Sequence, residues 1–324
     1  MAQFTFATCL PGLETALKQE VVRARPELRF AYSRPGLVTF KSDATISDDD
    51  SPGSPLARVW GKSIGPARSP DDAGHQLSMR GVERVHVFAR SPDEPVDLEV
   101  WQNATAASVG APTGASMTGE LVADVIVSPD EREPAWLGLH RADAAHARWP
   151  GGLVPADVPA DAPSRAYSKI EEAIAWAELP VAAGQVALEI GAAPGGAMLA
   201  LARRGLDVWG VDTGELAPVV RAESRAHHLQ MKVGALRWEE LPPRVDWLLV
   251  DVNLAPQVAL HEVARLMPPL RERLRGAVIT LKLNDDAVIA ELPKLVERIH
   301  ALGFSDVRLR HLPSNRREIC AVAR

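Results

Sequence analysis

From Ser164 onward, short apolar runs alternate with segments whose apolar residues recur at helical spacing. The runs are Val186–Ile190, Asp207–Val211, Asp246–Val252 and Ala277–Leu283. The helical segments are Gly196–Arg204, Ala217–His227, Gln257–Arg273 and Asp286–Leu302, with another reaching about Ala177 from a cap at Ser164. A strand without polar alternation is buried on both faces, and a parallel sheet covered by helices on both sides provides that burial. The C-terminal half is therefore expected to be an open α/β sheet. Two last runs, Phe304–His311 and Glu318–Val322, have no helix between them. They predict a terminal hairpin that leaves the final strand antiparallel to an otherwise parallel sheet.

The chain has 324 residues, enough for two or three domains. Residues 1–42 read as strand, helix, strand, strand: Phe4–Leu10, a helix from Leu13 to Ala24, then Glu27–Ser33 and Leu37–Ser42 around Pro35-Gly36. Asp43–Pro55 reads as an exposed loop, Leu56–Ile64 as a short helix and Gly65–Gly74 as loop. Strands are expected at Val85–Ala89, Leu98–Trp101, Leu121–Val127 and Ala135–Leu139, with Asn103–Thr118 as loop. The stretch Trp149–Pro163 is rich in proline, glycine and aspartate and marks the border of the last domain.

The peptide Leu188-Glu189-Ile190-Gly191-Ala192-Ala193-Pro194-Gly195-Gly196 follows a buried strand and opens a helix. Its small residues let the backbone approach a ligand closely. No Lys-Ser/Thr pair follows, so it is not a P-loop, and it lacks the Gly-x-Gly-x-x-Gly spacing that cradles a pyrophosphate. Asp212, at the end of the next strand, is placed to accept hydrogen bonds from a ribose. Together they suggest a nucleoside ligand without a pyrophosphate, and S-adenosylmethionine fits.

Ser164-Arg165-Ala166-Tyr167-Ser168-Lys169 followed by Gly191-Ala192-Ala193-Pro194-Gly195-Gly196 resembles the FtsJ-type ribose 2'-O-methyltransferases. Those enzymes use a Lys-Asp-Lys-Glu tetrad, and the resemblance assigns Lys169, Asp251, Lys282 and Glu318 to it in that order. It implies a Rossmann-like seven-stranded methyltransferase domain with S-adenosyl-L-methionine as cofactor. The cofactor residues would be Glu189, Gly191, Ala193, Pro194, Gly195, Gly196, Asp212 and Asp251. Cys9-Leu10-Pro11-Gly12-Leu13-Glu14 and Arg34-Pro35-Gly36-Leu37-Val38-Thr39-Phe40 look like the ferredoxin-like region of one branch. Trp136-Leu137-Gly138-Leu139-His140-Arg141 and Trp149-Pro150-Gly151-Gly152 look like the end of its THUMP domain. That branch is RlmM-like, the bacterial 23S rRNA cytidine 2'-O-methyltransferases. The implied layout is a ferredoxin-like α+β domain with linker at 1–80, a THUMP-like RNA-binding domain at 81–155 and the methyltransferase domain at 156–324. The branch holds the adenosine of its cofactor with an aspartate near the end of the third strand. Here the matching stretch, Lys232-Val233-Gly234-Ala235-Leu236, has no acid. Adenine recognition is then expected to rest on backbone and on neighbours such as Leu236 or Trp238.

In this reading Lys282 is the general base. A lysine starts near a pKa of about 10.4 and serves as a base only if that value falls. Burial and the Lys169 cation lower it, whereas Asp251 and Glu318 raise it, and the sequence leaves the balance open. The rival readings are an RNA-binding or assembly factor on a methyltransferase fold and a 2'-O-methyltransferase for another RNA.

A formal net charge of -6 argues at first against an RNA partner. The charge is uneven, however: Glu262–Arg324 carries 12 Lys/Arg against 8 Asp/Glu, and Leu121–Asp161 carries 3 against 7. A local basic patch decides RNA affinity, so the footprint is expected near Arg316 and Arg317, with rRNA as partner. Cys9 and Cys320 stand at opposite ends, no secretory signal is visible around Glu14 and Glu20, and no apolar stretch suits a membrane. A cytoplasmic monomer that binds neither membrane nor metal is expected. His227-His228 are read as helix surface residues that point apart, Asn103-Ala104-Thr105 as an unused sequon and Asp48-Asp49-Asp50 as a solvated loop.

Overall fold

A computed structural model describes residues 3–47, 51–92, 94–143, 148–283 and 286–324. The chain divides into two units, Met1–Val154 and Pro155–Arg324. Asp48, Asp49 and Asp50 lie outside the described residues.

The first unit runs β1 (Gln3–Thr8), α1 (Glu14–Ala24), β2 (Arg29–Arg34), β3 (Leu37–Ser42), β4 (Trp60–Ala67), α2 (Pro70–Leu77), β5 (Arg84–Ala89), α3 (Glu99–Val109), β6 (Leu121–Val127) and β7 (Ala135–Arg141). These strands form one seven-stranded sheet ordered β2-β3-β1-β4-β7-β6-β5. The β4–β7 pairing thus joins strands from the 1–80 and 81–155 intervals in a single sheet. On one face Val85, Val87, Ala123, Val125, Leu137 and Leu139 make an apolar core with Ala73 and Leu77 of α2.

Four expectations fail in this unit. Leu56–Ile64 is not a helix, because β4 begins at Trp60 and pairs with both β1 and β7. Its Pro66, which cannot donate to a ladder, lies beyond the stretch paired with β1 and faces Trp136 of β7 alone. Gly65–Gly74 is not loop either: it holds the end of β4 and the start of α2, which Ser69 caps by accepting from Asp72 N at 3.1 Å. Leu98–Trp101 is not a strand. It opens α3, which continues through the alanine-rich segment expected to be loop and ends at Gly110 in the left-handed conformation.

The second unit runs α4 (Ala166–Ala177), β8 (Val186–Ile190), α5 (Gly196–Arg203), β9 (Asp207–Val211), α6 (Pro218–Arg221), β10 (Ala226–Leu229), β11 (Trp247–Val250), α7 (Pro256–Leu270), β12 (Gly276–Lys282), α8 (Asp286–Ala290), α9 (Leu292–Ala301), β13 (Val307–Arg310) and β14 (Glu318–Ala323). The sheet order is β10-β9-β8-β11-β12-β14-β13. Pairings from β10 to β12 are parallel, while β14 is antiparallel to both of its neighbours, as the terminal hairpin predicts. The sheet is a Rossmann-like α/β sheet whose order reverses between β8 and β11. Ligands bind at such a reversal, outside the carboxyl ends of the strands.

One helix is overturned here. Ala217–His227 holds only the single turn α6, followed by strand β10 at the sheet edge. His227 and His228 therefore sit on a strand, where His227 stacks on Trp209 at 4.7 Å between ring centroids. Ser164 does not cap α4 by itself. Arg165 holds the cap position, and the Ser164 hydroxyl accepts from Ala166 N at 3.3 Å.

Candidate active site

Four charged side chains converge at the carboxyl end of β11 and β12. Antiparallel register sets Lys282, the last residue of β12, directly opposite Glu318, the first of β14. Asp251 follows β11, whose backbone is pinned because Asp251 N donates to Ile190 O at 2.9 Å. Lys169 reaches in from α4. Its Nζ lies 2.8 Å from Asp251 Oδ2 and 2.6 Å from Glu318 Oε2. Lys282 Nζ lies 2.9 Å from Asp251 Oδ1 and 2.6 Å from Glu318 Oε1. Each ammonium thus bridges both carboxylates, and the four alternate in sign around a ring. Their side chains are between 12% and 18% exposed, so water screens the ring only in part.

That geometry decides the balance the sequence leaves open. Burial pulls the Lys282 pKa down, but Asp251 and Glu318 outweigh it and the net direction is up. The carboxylates mirror this: burial pushes Asp251 and Glu318 up, and the two lysines more than reverse it. At rest the ring holds two cations and two anions.

Asp251 also lines a cleft of about 770 Å³. Of the residues the sequence assigns to a cofactor, Gly191, Ala193, Asp212 and Asp251 line it. Gly191 has φ +88°, and a Cβ there would collide with the Asp251 carbonyl, so the first strand's turn tolerates no side chain. Asp212 braces the same turn: Oδ2 accepts from Ala193 N at 3.1 Å and Oδ1 from Gly214 N at 2.8 Å. Pro194, Gly195 and Gly196 are not among the cleft-lining residues. They carry the chain into α5, where a Cβ on Gly196 would strike Ser164 and the Tyr167 backbone at the start of α4. Glu189 faces a different, far smaller cavity of about 20 Å³, shared with Lys169, Asp251 and Cys320. Burial, then Asp251 and Asp212, push its carboxyl well above the ordinary range. Arg316 and Arg317 are exposed on the turn that leads into Glu318.

Leu236 and Trp238 do not line the cleft. Leu236 is fully buried, and Trp238 donates through Nε1 to Arg265 O at 3.0 Å. Two acids escape the sequence reading. Glu262 of α7 lines the cleft beside Gly234, and Arg265 holds its Oε2 at 3.2 Å. The same Arg265 donates to the carbonyls of Val233 and Leu236 at 2.6 Å each, fixing the turn that carries Gly234. Glu172 accepts from the Ser314 N at 2.8 Å and from its hydroxyl at 2.6 Å, which anchors the turn ahead of Glu318. Helical spacing signals Glu172, since residues three apart share a face and Lys169 is three residues earlier. No comparable signal marks Glu262, whose place depends on how the 231–235 segment folds.

Sheet order, the glycine turn and a cleft at the order reversal define a Rossmann-like α/β fold with a ligand cleft at its switch point. Comparison with known proteins is more particular. The chain is 40% identical over 125 residues to the "Ribosomal RNA large subunit methyltransferase M" of Alkalilimnicola ehrlichii, covering 37% of this chain and 33% of the relative. Proteins of that name from Thauera aminoaromatica and Halorhodospira halophila are 32% and 35% identical, over 58% and 54% of this chain and 52% and 51% of their own lengths. The matches thus span a third to about half the length of these relatives. No family model matches the chain. Among solved structures, TrmN from Thermus thermophilus aligns over 99% of both chains at 15% identity, with a TM-score of only 0.37.

Proposed function

We propose that the chain methylates a ribose 2'-oxygen of ribosomal RNA, that of the large subunit by its relatives' name and the 23S species by the RlmM-like resemblance, with S-adenosyl-L-methionine as methyl donor. The alternating ring of Lys169, Asp251, Lys282 and Glu318 beside the cleft carries this reading.

The residues present fit the cofactor. Gly191 leaves room for close backbone approach, Asp212 keeps lone pairs for ribose hydroxyls, and Asp251 offers a carboxylate to the cationic portion. Glu262 stands beside Gly234, where the sequence lacks an acid, and is placed to accept from the amino group of the adenine. When bound, S-adenosylmethionine supplies an electrophilic methyl group, which leaves the protein to position the hydroxyl and take its proton. Lys282 is the base, and Asp251 and Glu318 hold its ammonium in place. A cationic ligand at Asp251 draws on the carboxylate that raises the Lys282 pKa and so weakens the upward push. Exposed Arg316 and Arg317 meet the phosphates of the RNA. Among the described residues no helix is long and apolar enough to cross a membrane.

The test is methyl incorporation from labelled S-adenosylmethionine into 23S rRNA taken from cells lacking this protein, with the 2'-O-methyl position mapped afterwards. Lys282→Ala is expected to lower incorporation by at least the roughly 10²–10⁴-fold typical of a general base. Undiminished transfer by that variant overturns the mechanism. Absence of calorimetric binding at millimolar S-adenosylmethionine overturns the cofactor.

A further inference from the structure

The first unit contains a polar cluster where its strand pattern calls for apolar side chains. His86 on β5 is the register partner of Asp124 on β6. His140 on β7 pairs with Val122, two residues from Asp124, so all three side chains leave the same face of the sheet. Further along that face stand Phe88, Ile126 and Trp136 of the apolar core. His86, Asp124 and His140 are 0%, 0% and 1% exposed.

One contact satisfies part of the cluster: His140 Nδ1 lies 2.5 Å from Asp124 Oδ2. The rest is poorly accounted for. His86 Nδ1 is 4.0 Å from Asp124 Oδ1, beyond hydrogen-bonding reach. Neither ring nitrogen of His86, which also has the Gly114 backbone as a neighbour, makes a hydrogen bond of normal geometry, and neither does Asp124 Oδ1. Buried polar groups left in this state are costly, and natural sequences rarely keep several together. One ligand atom from each residue can be chosen so that all lie within 4.8 Å of one another. Zinc takes imidazole nitrogen at about 2.0–2.1 Å and carboxylate oxygen at about 2.0–2.2 Å, which sets its donors about 3.3–3.5 Å apart. The separations of 2.5 Å and 4.0 Å run to different oxygens of Asp124 and straddle that value, so gathering three donors onto one ion needs the Asp124 carboxylate as well as the rings to turn.

We propose that His86, Asp124 and His140 form a buried binding site for one divalent transition-metal ion, zinc by the chemistry of its donors, that ties β5, β6 and β7 together. Two imidazoles and one carboxylate without thiolate suit zinc and its usual substitute cobalt, whereas calcium and magnesium prefer sites made of oxygen. The role is structural. One ion joins three neighbouring strands, including β5 at the edge of the sheet. The expectation of no metal weighs His227-His228, which lie in the other unit, and no sequence motif links three residues spread over three strands.

The full chain, purified without an affinity tag or chelator, is assayed for metal by mass spectrometry and then stripped and titrated with cobalt. About one zinc per chain is expected, with a Tm that falls on stripping and recovers with zinc. Cobalt should give the intense visible absorption of a low-coordinate site. Asp124→Asn should weaken cobalt binding by more than the roughly 10–100-fold lost with an outer-shell partner. His86→Gln serves as the second variant, and circular dichroism confirms that both are folded. If the wild-type chain carries no zinc, takes up neither ion and keeps its Tm through stripping, the cluster is a hydrogen-bonded core and the proposal falls. Unaltered cobalt spectra in both folded variants overturn it as well.

Discussion

Lys282 holds its proton at rest, and the reason is local. Two carboxylates within 2.9 Å more than cancel the effect of burial, so the resting ring is charge-balanced and poorly reactive. The proposed base role needs the neutral amine, and the fraction of that form grows as pH rises toward the lysine pKa. Removing one carboxylate weakens the upward push, lowers that pKa and brings the rising limb of the pH–rate profile to lower pH. Glu318→Gln keeps the side chain's size and one acceptor and is the variant of choice. Its limb is expected to lie roughly one pH unit below that of wild type, the scale of a single charged neighbour at this burial. The measurement is single-turnover methyl transfer across pH, and an unmoved limb takes the base role away from Lys282. The opposite end of the same strand shows how position separates roles. Asp246, next to the amino end of β11, is 2% exposed and engaged by Arg244 at 2.7 Å, by Arg275 at 3.2 Å and by Val186 N at 2.9 Å. It ties strands together on the side of the sheet away from the cleft, whereas Asp251 faces the ligand side.

The turn between β8 and α5 is where an element's geometry becomes a binding site. Gly191 combines a left-handed φ of +88° with a carbonyl from Asp251 where a Cβ would stand. Gly191→Ala therefore meets the roughly 1–2 kcal/mol of left-handed strain and a backbone collision in addition. A Tm lower by roughly 2–8 °C is expected from the strain alone for a unit of this size. Affinity for S-adenosylhomocysteine should fall at least about tenfold, because the collision moves the Asp251 backbone at the cleft. Calorimetry and thermal melts check both, and unchanged affinity separates the turn from the ligand. Strands β8 and β9 match the sequence reading residue for residue, because their largely buried positions leave a mostly apolar run, broken by Glu189 in β8 and by Asp207 at the start of β9. The segments that deceive are those in which tertiary context overrides local preference. Val100 and Trp101 favour a strand by type, yet α3 takes them because the alanines that follow and Gly110 at its end make a better helix. β10 is a half-buried edge strand, so Ala226, His227 and His228 show none of the apolar pattern of the inner strands. Pro66 and Gly65 point to loop at β4, and only the bulge between Ser63 and Gly65 explains how they remain in a strand. The tetrad was legible through the resemblance to the FtsJ-type pattern, since Lys169 by itself reads as an exposed helix residue and Glu318 as a solvated strand end. Glu262 was not, because its contact with Gly234 belongs to a turn without periodicity.

For the molecule as a whole, a net charge of -6 conceals an asymmetry between segments. Each unit has its own seven-stranded sheet, and the basic surplus between Glu262 and Arg324 belongs to the unit that carries the tetrad. Much of that surplus is already committed: Arg265 to Glu262 and two carbonyls, Arg275 to Asp246, and Arg308 to the Ala177 carbonyl at 2.9 Å. Arg316 and Arg317 stand exposed on the turn into Glu318, so they place positive charge beside the ring at the proposed entry of the ribose. Phosphate contacts release counterions, and each contact steepens the salt dependence of RNA binding by about 0.7–0.9 in the log–log slope. A confined footprint thus predicts modest affinity that disappears quickly with added salt. Arg316→Glu combined with Arg317→Glu should shrink that slope by about 1–2 and weaken binding across RNA sequences alike, since phosphate contacts carry no base information. The effect on KM should exceed the effect on kcat, because neither arginine belongs to the ring that takes the proton. Filter binding of an rRNA fragment over a range of potassium chloride concentrations measures the slope, and steady-state methyl transfer measures the split. If the slope and the affinity of the double variant equal those of wild type, the phosphates are held on another surface and the entry of the RNA has to be sought away from this turn.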